Sequence, residues 1–430
     1  MSLKKFSKQE RSWMWYDWAN SAYSIIITTA VFPLYYKAVA DNAGVSSVDS
    51  TAYLGYTISI ATFILAMIGP ILGTMADYKG MKKKFFLFFF IMGTASTVGL
   101  LMVPADNWLL LLVIYTITSI GFRGANVFYD AFLVDVSSKE RMDDVSARGY
   151  GLGYIGSTIP FIISIAVIVL SQMEILPFSS LTASRIAFLI TAVWWIAFSI
   201  PLIKNVHQIH AIDREPRIIV NSFKRLGQTF KNITQYRAVF IFLIAYFFYI
   251  DGVGTIISMS TAYGTDLGLG ATALLLALFV TQVVAAPFSI LFGKLAKKFT
   301  AKKMLYVGIV VYTIVCIYAF FLDTVVDFWI LAMLVATSQG GIQALSRSYF
   351  AQLVPKEKSN EFFGFYNIFG KFASILGPIL VAATAQMTGS SSAGVFSLAI
   401  LFIIGAVILK FVPDAETYNA DQNKTIGHSS

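Results

Sequence analysis

Charge is what this sequence has least of. Only 13% of its 430 residues are Asp, Glu, Lys or Arg, against 57% hydrophobic and 15% aromatic residues. An ordinary soluble domain carries about 25% charged residues, so a soluble enzyme of this length is excluded for want of a polar surface. The same figures exclude disorder, coiled coil and collagen. The single cysteine, Cys316, sits in an apolar run, which excludes an internal disulfide and a thiol redox pair. The three histidines, His207, His210 and His428, all lie in polar segments, so neither a histidine metal site nor a histidine proton relay is expected within a membrane. No phosphate loop ending in Gly-Lys-Ser/Thr occurs, and no nucleophile–base–orienter set. An enzyme, an ATP-driven pump and a bound cofactor are therefore not expected.

What the chain has instead is long apolar runs. They fall at about 15–36, 51–77, 85–103, 108–135, 150–172, 183–203, 237–263, 270–292, 304–322, 327–353, 362–387 and 391–412. Each is close to or above the roughly 20 residues that cross about 30 Å of hydrocarbon. Their continuity excludes the alternation of barrel strands. Of the 32 Lys and Arg, 27 lie in the N-terminal tail, the even-numbered loops and the C-terminal end. The odd-numbered loops hold only Lys37 and Arg185, against Asp41, Asp49, Asp106, Glu174, Asp266, Asp323 and Asp327. The positive-inside rule then places both termini in the cytoplasm, with the plasma (cytoplasmic) membrane as the site if the source is bacterial. The formal charge of +9 is thus an orientation signal, and no nucleic-acid partner is expected. The first helix lacks a small-residue cleavage site and reads as uncleaved. The expected organisation is a six-helix bundle over 1–203, a basic amphipathic cytoplasmic linker over 204–236, a second bundle over 237–412 and a disordered cytoplasmic tail over 413–430. Asn232-Ile-Thr234 and Asn423-Lys-Thr425 match glycosylation acceptors but fall on the cytoplasmic side, where that machinery is absent.

The two halves align at a shift of about 220 residues. Gly73 falls on Gly293, Lys82 on Lys302, Lys83 on Lys303, Gly121 on Gly340, and Leu133-Val134 on Leu353-Val354. Gly151-Leu-Gly153-Tyr-Ile-Gly156 spells a dinucleotide fingerprint, but no strand precedes it. With Gly149 it reads as a small-residue packing face.

These features resemble the major facilitator superfamily. The loop after helix two, Gly73-Thr-Met-Ala-Asp77-Tyr-Lys-Gly80-Met-Lys82-Lys83, is similar to that superfamily's signature, except that Tyr78 stands where Arg is usual. The resemblance implies a conformational latch from Gly73, Asp77, Gly80, Lys82 and Lys83. The second-half copy carries Lys297 in place of the Asp, so an Asp-to-helix latch is expected in the first half alone. Three further motifs resemble the vacuolar-effluxer branch related to autophagy protein twenty-two. They are Trp15-Tyr-Asp17-Trp-Ala-Asn20-Ser-Ala-Tyr23, Gln339-Gly-Gly-Ile-Gln343-Ala-Leu-Ser-Arg347-Ser and Gly364-Phe-Tyr-Asn367-Ile-Phe-Gly-Lys371. The implied fold class is an all-α polytopic membrane protein, with twelve transmembrane helices as two pseudo-symmetric six-helix bundles.

Charge inside hydrocarbon costs about 2.5 kcal/mol or more per group, so intramembrane ions tend to be paired and functional. Removing the loop charges leaves Asp17, Arg123, Asp130, Asp251, Arg347 and Lys371. Helical spacing sets them on polar stripes. Helix one offers Asp17, Asn20, Ser24 and Thr28. Helix four offers Thr116, Ser119, Arg123, Asn126 and Asp130. Helix seven offers Asp251, Thr255 and Ser258. Helix ten offers Gln339, Gln343 and Arg347, and helix eleven Asn367, Lys371 and Ser374. Five stripes converging between the halves would line a central aqueous cavity. The alternative for each stripe is that it only bonds one helix to another.

Asn20, Arg123, Asn126, Gln339, Gln343, Asn367 and Lys371 are the candidate substrate ligands, with Arg123 and Lys371 placed to hold a carboxylate. Asp17, Asp130, Asp251 and Arg347 are the candidates for proton coupling or gating. An Asp130–Arg347 or an Asp17–Lys371 pair is expected to close the cytoplasmic side, with a static structural bridge as the alternative. For Asp251 the alternative is a carboxylate bonded to nearby helix groups. The expected function is secondary active transport of a small polar solute, an amino acid or similar zwitterion, by rocker-switch alternating access. By the resemblance it is coupled to protons and directed to export, in a monomer. A lipid-linked or amphiphilic substrate, or a receptor or scaffold that transports nothing, are the alternative readings.

Overall fold

The computed structural model describes residues 5–45, 47–231, 233–266, 271–322, 324–372 and 375–414, without the side chains of 259–275 and 371–372 among others. The tail expected beyond Pro413 lies almost wholly outside them. Within hydrocarbon every backbone polar group must be bonded inside the chain, and the protein meets this with helices alone. Among the described residues, eleven are long and apolar enough to cross a membrane, and a shorter, broken helix completes the set of twelve.

Helix one runs Lys8–Asn42, longer at both ends than its apolar core. A capping box starts it: Glu10 N–H donates to Ser7 Oγ at 3.1 Å, and Ser7 N–H to Glu10 Oε2 at 2.8 Å. Its middle, Ser24–Ala30, is wound as a π-helix. The extra residue in each such turn rotates the rest of the helix by about 100° relative to an α-helix. Ser47–Ala76 forms helix two, Lys82–Met102 helix three, Trp108–Val136 helix four, Lys139–Gln172 helix five and Ser180–Asn205 helix six. The linker carries its own helix, Ile218–Lys231. Helix seven is Arg237–Asp266, helix eight Ala271–Phe299, helix nine Ala301–Phe320 and helix ten Val325–Leu353. Helix eleven departs from the continuous 362–387 expected, being two pieces, Ser359–Phe372 and Leu376–Thr388. Helix twelve is likewise stepped, as Ser391–Ser397 and Ala399–Lys410.

Without a hydrophobic force between helices in lipid, close packing relies on small residues. Helices three and four meet backbone to backbone, where a Cβ on Gly121 would collide with Gly93, and Thr97 and Thr118 share a bond of 2.7 Å beside them. The glycines of helix five form the packing face read from the sequence. Gly149 abuts the Asp17 carboxylate, Gly153 Ser21, Gly156 the Trp18 ring, and Gly151 Ile290 in the other half.

Contact between the halves is one-sided. Helices two and eleven touch where Gly73 meets the Asn360 backbone and Gly364 meets Gly69 and Pro70. Helices five and eight touch at Gly293 against Ala147, where Ser289 Oγ donates to the Ala147 carbonyl at 2.8 Å. Helix ten joins through Ser146 Oγ to the Ala344 carbonyl at 2.8 Å and Gln352 Nε2 to Asp143 Oδ1 at 2.8 Å. All of these lie between mid-membrane and the end that bears the basic loops.

Gly121→Ala inserts a methyl where no rotamer can move aside, so it should lower stability by about 1–3 kcal/mol. Thermal unfolding of purified protein in detergent checks this, and an unchanged midpoint would contradict the backbone contact.

Candidate substrate-binding site

Between the halves, above the sealed end, lies a cavity of about 380 Å³. Asp17, Asn20, Ser21 and Ser24 of helix one line it, with Arg123, Asn126 and Asp130 of helix four. Gln343 and Arg347 of helix ten and Asn367 of helix eleven face them. Tyr150, Tyr246 and Tyr366 add aromatic walls.

Arg347 anchors the floor. Its Nη2 lies 2.9 Å from Asp17 Oδ2 and its Nη1 3.2 Å from Asp130 Oδ1. Its Nε donates to Ser146 Oγ at 2.9 Å, and Nη2 to the Ser146 carbonyl at 3.1 Å. The guanidinium also lies 4.6 Å from the Trp13 ring and 4.4 Å from that of Tyr150. A group that is 2% exposed has thereby replaced its water with carboxylates, a hydroxyl, a carbonyl and π faces. Helices one, four and five of the first half supply these partners to a side chain of the second. Aromatic residues in the first turns of helix one fix the approach of Asp17. Trp13 stacks on Tyr129 at 4.6 Å while its Nε1 donates to the Tyr129 carbonyl at 2.9 Å, and Tyr16 packs edge-on against Phe86.

Of the two ion pairs expected, Asp130–Arg347 forms, and the partner of Asp17 is also Arg347. The Lys371 side chain and Ser374 fall outside the described residues, so an Asp17–Lys371 contact lies outside them as well. Two other assignments are corrected. Asp251 does not line the cavity; its Oδ2 accepts from the Gly377 N–H at 2.8 Å, capping the second piece of helix eleven, and Thr255 bonds its other oxygen. The cavity face of helix seven is instead Tyr246, Ile250, Val253, Gly254 and Ile257. Gln339 is turned toward a separate, apolar pocket with Phe328, Leu331 and Val335. Thr28 does not line the cavity either, since the π-helical turns rotate it off the Asp17 face.

Arg123 is bonded differently from Arg347. Its Nε donates to Ser119 Oγ at 3.2 Å and its Nη1 to Thr62 Oγ1 at 3.0 Å. Among the described residues no carboxylate forms an ion pair with it. Asn20 Nδ2 donates to Asn126 Oδ1 at 2.9 Å, between Arg123 and the Arg347 cluster.

At the sealed end, the loop between helices two and three ties several elements together. Asp77, in the loop just past helix two, accepts from the Asn360 N–H at 2.9 Å and Nδ2 at 2.8 Å, and so caps helix eleven. Gly80 takes a φ of +76°, which its lack of a Cβ permits. Lys83 Nζ donates to the Val206 carbonyl at 3.0 Å. Lys82 Nζ lies 2.6 Å from Asp135 Oδ2, both side chains fully buried, and also donates to Ser359 Oγ at 3.2 Å. By sequence Asp135 falls among the loop charges because it ends an apolar run; only the fold carries it inward. The second half keeps the device with its charge inverted, since Lys297 reaches Asp144 of helix five at 3.1 Å.

Eleven described helices able to cross a membrane, with a broken twelfth, arranged around a polar cavity give the architecture of the major facilitator superfamily. Solved structures share this fold. The human organic anion transporter MFSD10 aligns with a TM-score of 0.73 at 12% identity, over 93% of this chain and 99% of its own. The proton:xylose symporter XylE aligns at 0.74 and 12% identity, over 95% and 96%. More narrowly, the family described as vacuole effluxer Atg22 like matches residues 7–136 and 134–421, and the chain belongs to it. It is 69% identical to the uncharacterized MFS-type transporter YxiO of Bacillus subtilis (strain 168), over 98% of this chain and 99% of that one. It is 22% identical to autophagy-related protein 22 of Eremothecium gossypii, over 91% and 88%. The protein is a multi-pass integral membrane protein and a secondary active transporter.

Burial pushes the Asp77 carboxyl up to about 7, opposed by the Asn360 bonds and raised further by Glu361 alongside. Were the Asn360 contacts to open, the same carboxyl would meet water and keep its ordinary range. Protonation therefore favours closure, fully at low pH, and that contribution is lost as pH rises through about 7. A fluorophore and quencher at Lys79 and Glu357 should report more open latch at about pH 8 than at about pH 6. Asp77→Asn should flatten this response; an unchanged response in that variant would exclude Asp77 as its source.

Proposed function

We propose that this transporter moves a small zwitterion such as an amino acid, exchanging a proton at the Asp17–Asp130–Arg347 cluster, with export as the direction. The observation that carries the substrate class is Arg123, a cation on the cavity wall bonded to two hydroxyls, with amide side chains beside it. A substrate carboxylate would supply the bidentate partner that Ser119 and Thr62 do not. Asn20, Asn126, Gln343 and Asn367 supply both donors and acceptors for the rest of a small polar molecule. The description of the family as effluxers supports export.

The cluster sets two carboxylates against one guanidinium, so one formal negative charge is in excess. Asp130 is the more exposed of the two, at 15% against 9% for Asp17, and is the natural point of proton entry. A proton there cancels the excess and weakens the tie between the halves, which biases the two access states. The basic loops mark the sealed end as cytoplasmic under the positive-inside rule, and the conformation then faces outward.

Counterflow of labelled amino acids into proteoliposomes tests the substrate class. Arg123→Ala should raise the half-saturating concentration roughly ten- to a hundredfold, the worth of a charged hydrogen-bonded contact, and amino-acid methyl esters should not compete. Equal affinity in wild type and variant would remove Arg123 from the site. The exchange Asp130→Arg with Arg347→Asp should restore part of the transport that either single neutralisation abolishes, and failure to do so would favour a static bridge.

A further inference from the structure

The linker helix Ile218–Lys231 shows three arcs around its circumference, set by 100° per residue. One arc faces helix two and the latch through buried Ser222 and Thr229 and half-buried Arg225. From it Arg225 reaches to 3.8 Å from Asp77 Oδ2 and 3.9 Å from Glu361 Oε2, with its guanidinium 5.2 Å over the Tyr78 ring. Tyr78 is where the signature usually has Arg, so the linker brings the guanidinium that the loop itself lacks. The next arc is apolar and uncovered: Ile219, Val220 and Phe223 are 59%, 61% and 53% exposed. The third is basic, with exposed Lys224 and Lys231 together on the side of Val220 away from Ile219 and Phe223, and exposed Arg214 and Arg217, interleaved with Asp213 and Glu215, just before the helix.

We propose that this helix is a membrane-surface site for anionic phospholipid, and that its docking holds Arg225 in the latch. Three adjacent large apolar side chains beside a basic arc fit the boundary between acyl chains and anionic headgroups. The linker helix packs on the last turns of helix two, which exposes the apolar side chains Phe63, Ile64 and Met67 further along its length. Docking and latch closure share one rigid helix, so the charge of the leaflet biases which end of the transporter is sealed.

The test uses the full-length protein with Cys316→Ser and Val220→Cys, labelled with an environment-sensitive fluorophore. It is reconstituted in vesicles of phosphatidylcholine alone or mixed with phosphatidylglycerol. The label should shift to the blue and resist an aqueous quencher in the anionic vesicles, and added salt should reverse the effect. Lys224→Gln with Lys231→Gln should lower the docked-to-free ratio on the order of thirtyfold. The same pair should open the latch reported from Lys79 and Glu357, and Arg225→Gln should open it while leaving docking intact. Emission that is equal in both vesicle types, or that shifts only when a soluble protein is added, overturns the lipid site. Docking that changes with no movement of the latch overturns the coupling.

Discussion

A guanidinium cannot stand alone in hydrocarbon, and the arrangement of this transporter depends on where it puts Arg347. The group has five donors in a fixed plane, and leaving them unbonded away from water would cost several kcal/mol. Asp17, Asp130 and Ser146 must therefore converge from three helices on one point of helix ten. That convergence requires Gly149 to lack a Cβ, because one would occupy the space of the Asp17 carboxylate. It also requires Trp13 and Tyr150 to present ring faces rather than edges to the cation. Packing, electrostatics and the join between halves meet in one side chain.

The same logic separates two kinds of buried charge. Lys82 and Asp135 are fully buried within the first half and, with Ser359, pin the latch loop. Such a pair is costly to break from one side only. The Arg347 cluster instead crosses the halves and borders a cavity, the placement on which its proposed gating role rests. The outer ties, Asp77 on helix eleven and Lys297 on Asp144, are pseudo-symmetric in place but opposite in charge. They seal the same end by a cap in one half and by an ion pair in the other.

Much of this was legible in the chain itself. Apolar run length gave the helices, and i, i+3, i+4 spacing gave the cavity wall of helix four, because an undistorted α-helix obeys that period. The period misled wherever the helix did not hold it. Thr28 sits within π-helical turns, and Asp251 serves a helix end that exists only because helix eleven is two pieces. Gln339 lies on the same stripe as Gln343 yet looks into an apolar pocket, a difference set by neighbouring helices and not by its own. Ser146 and Tyr150 were invisible because nothing in their local sequence distinguishes a cation's ligand from an ordinary helix residue. Asp135 and Arg225 looked like loop and linker charges; only tertiary folding buries the first and carries the second to the latch.

The central claim is that the Arg347 cluster is a tie that opens and closes rather than a permanent brace. Spin labels at the exposed Glu140 and Glu357 lie in opposite halves at the sealed end, and pulsed electron–electron resonance reads the distance between them. The account predicts two distance populations in wild type. Replacing Arg347 by Lys, which keeps the charge but loses the fork, should shift them toward the longer distance. A single short distance that persists in that variant would show the cluster to be a static bridge and would contradict the account.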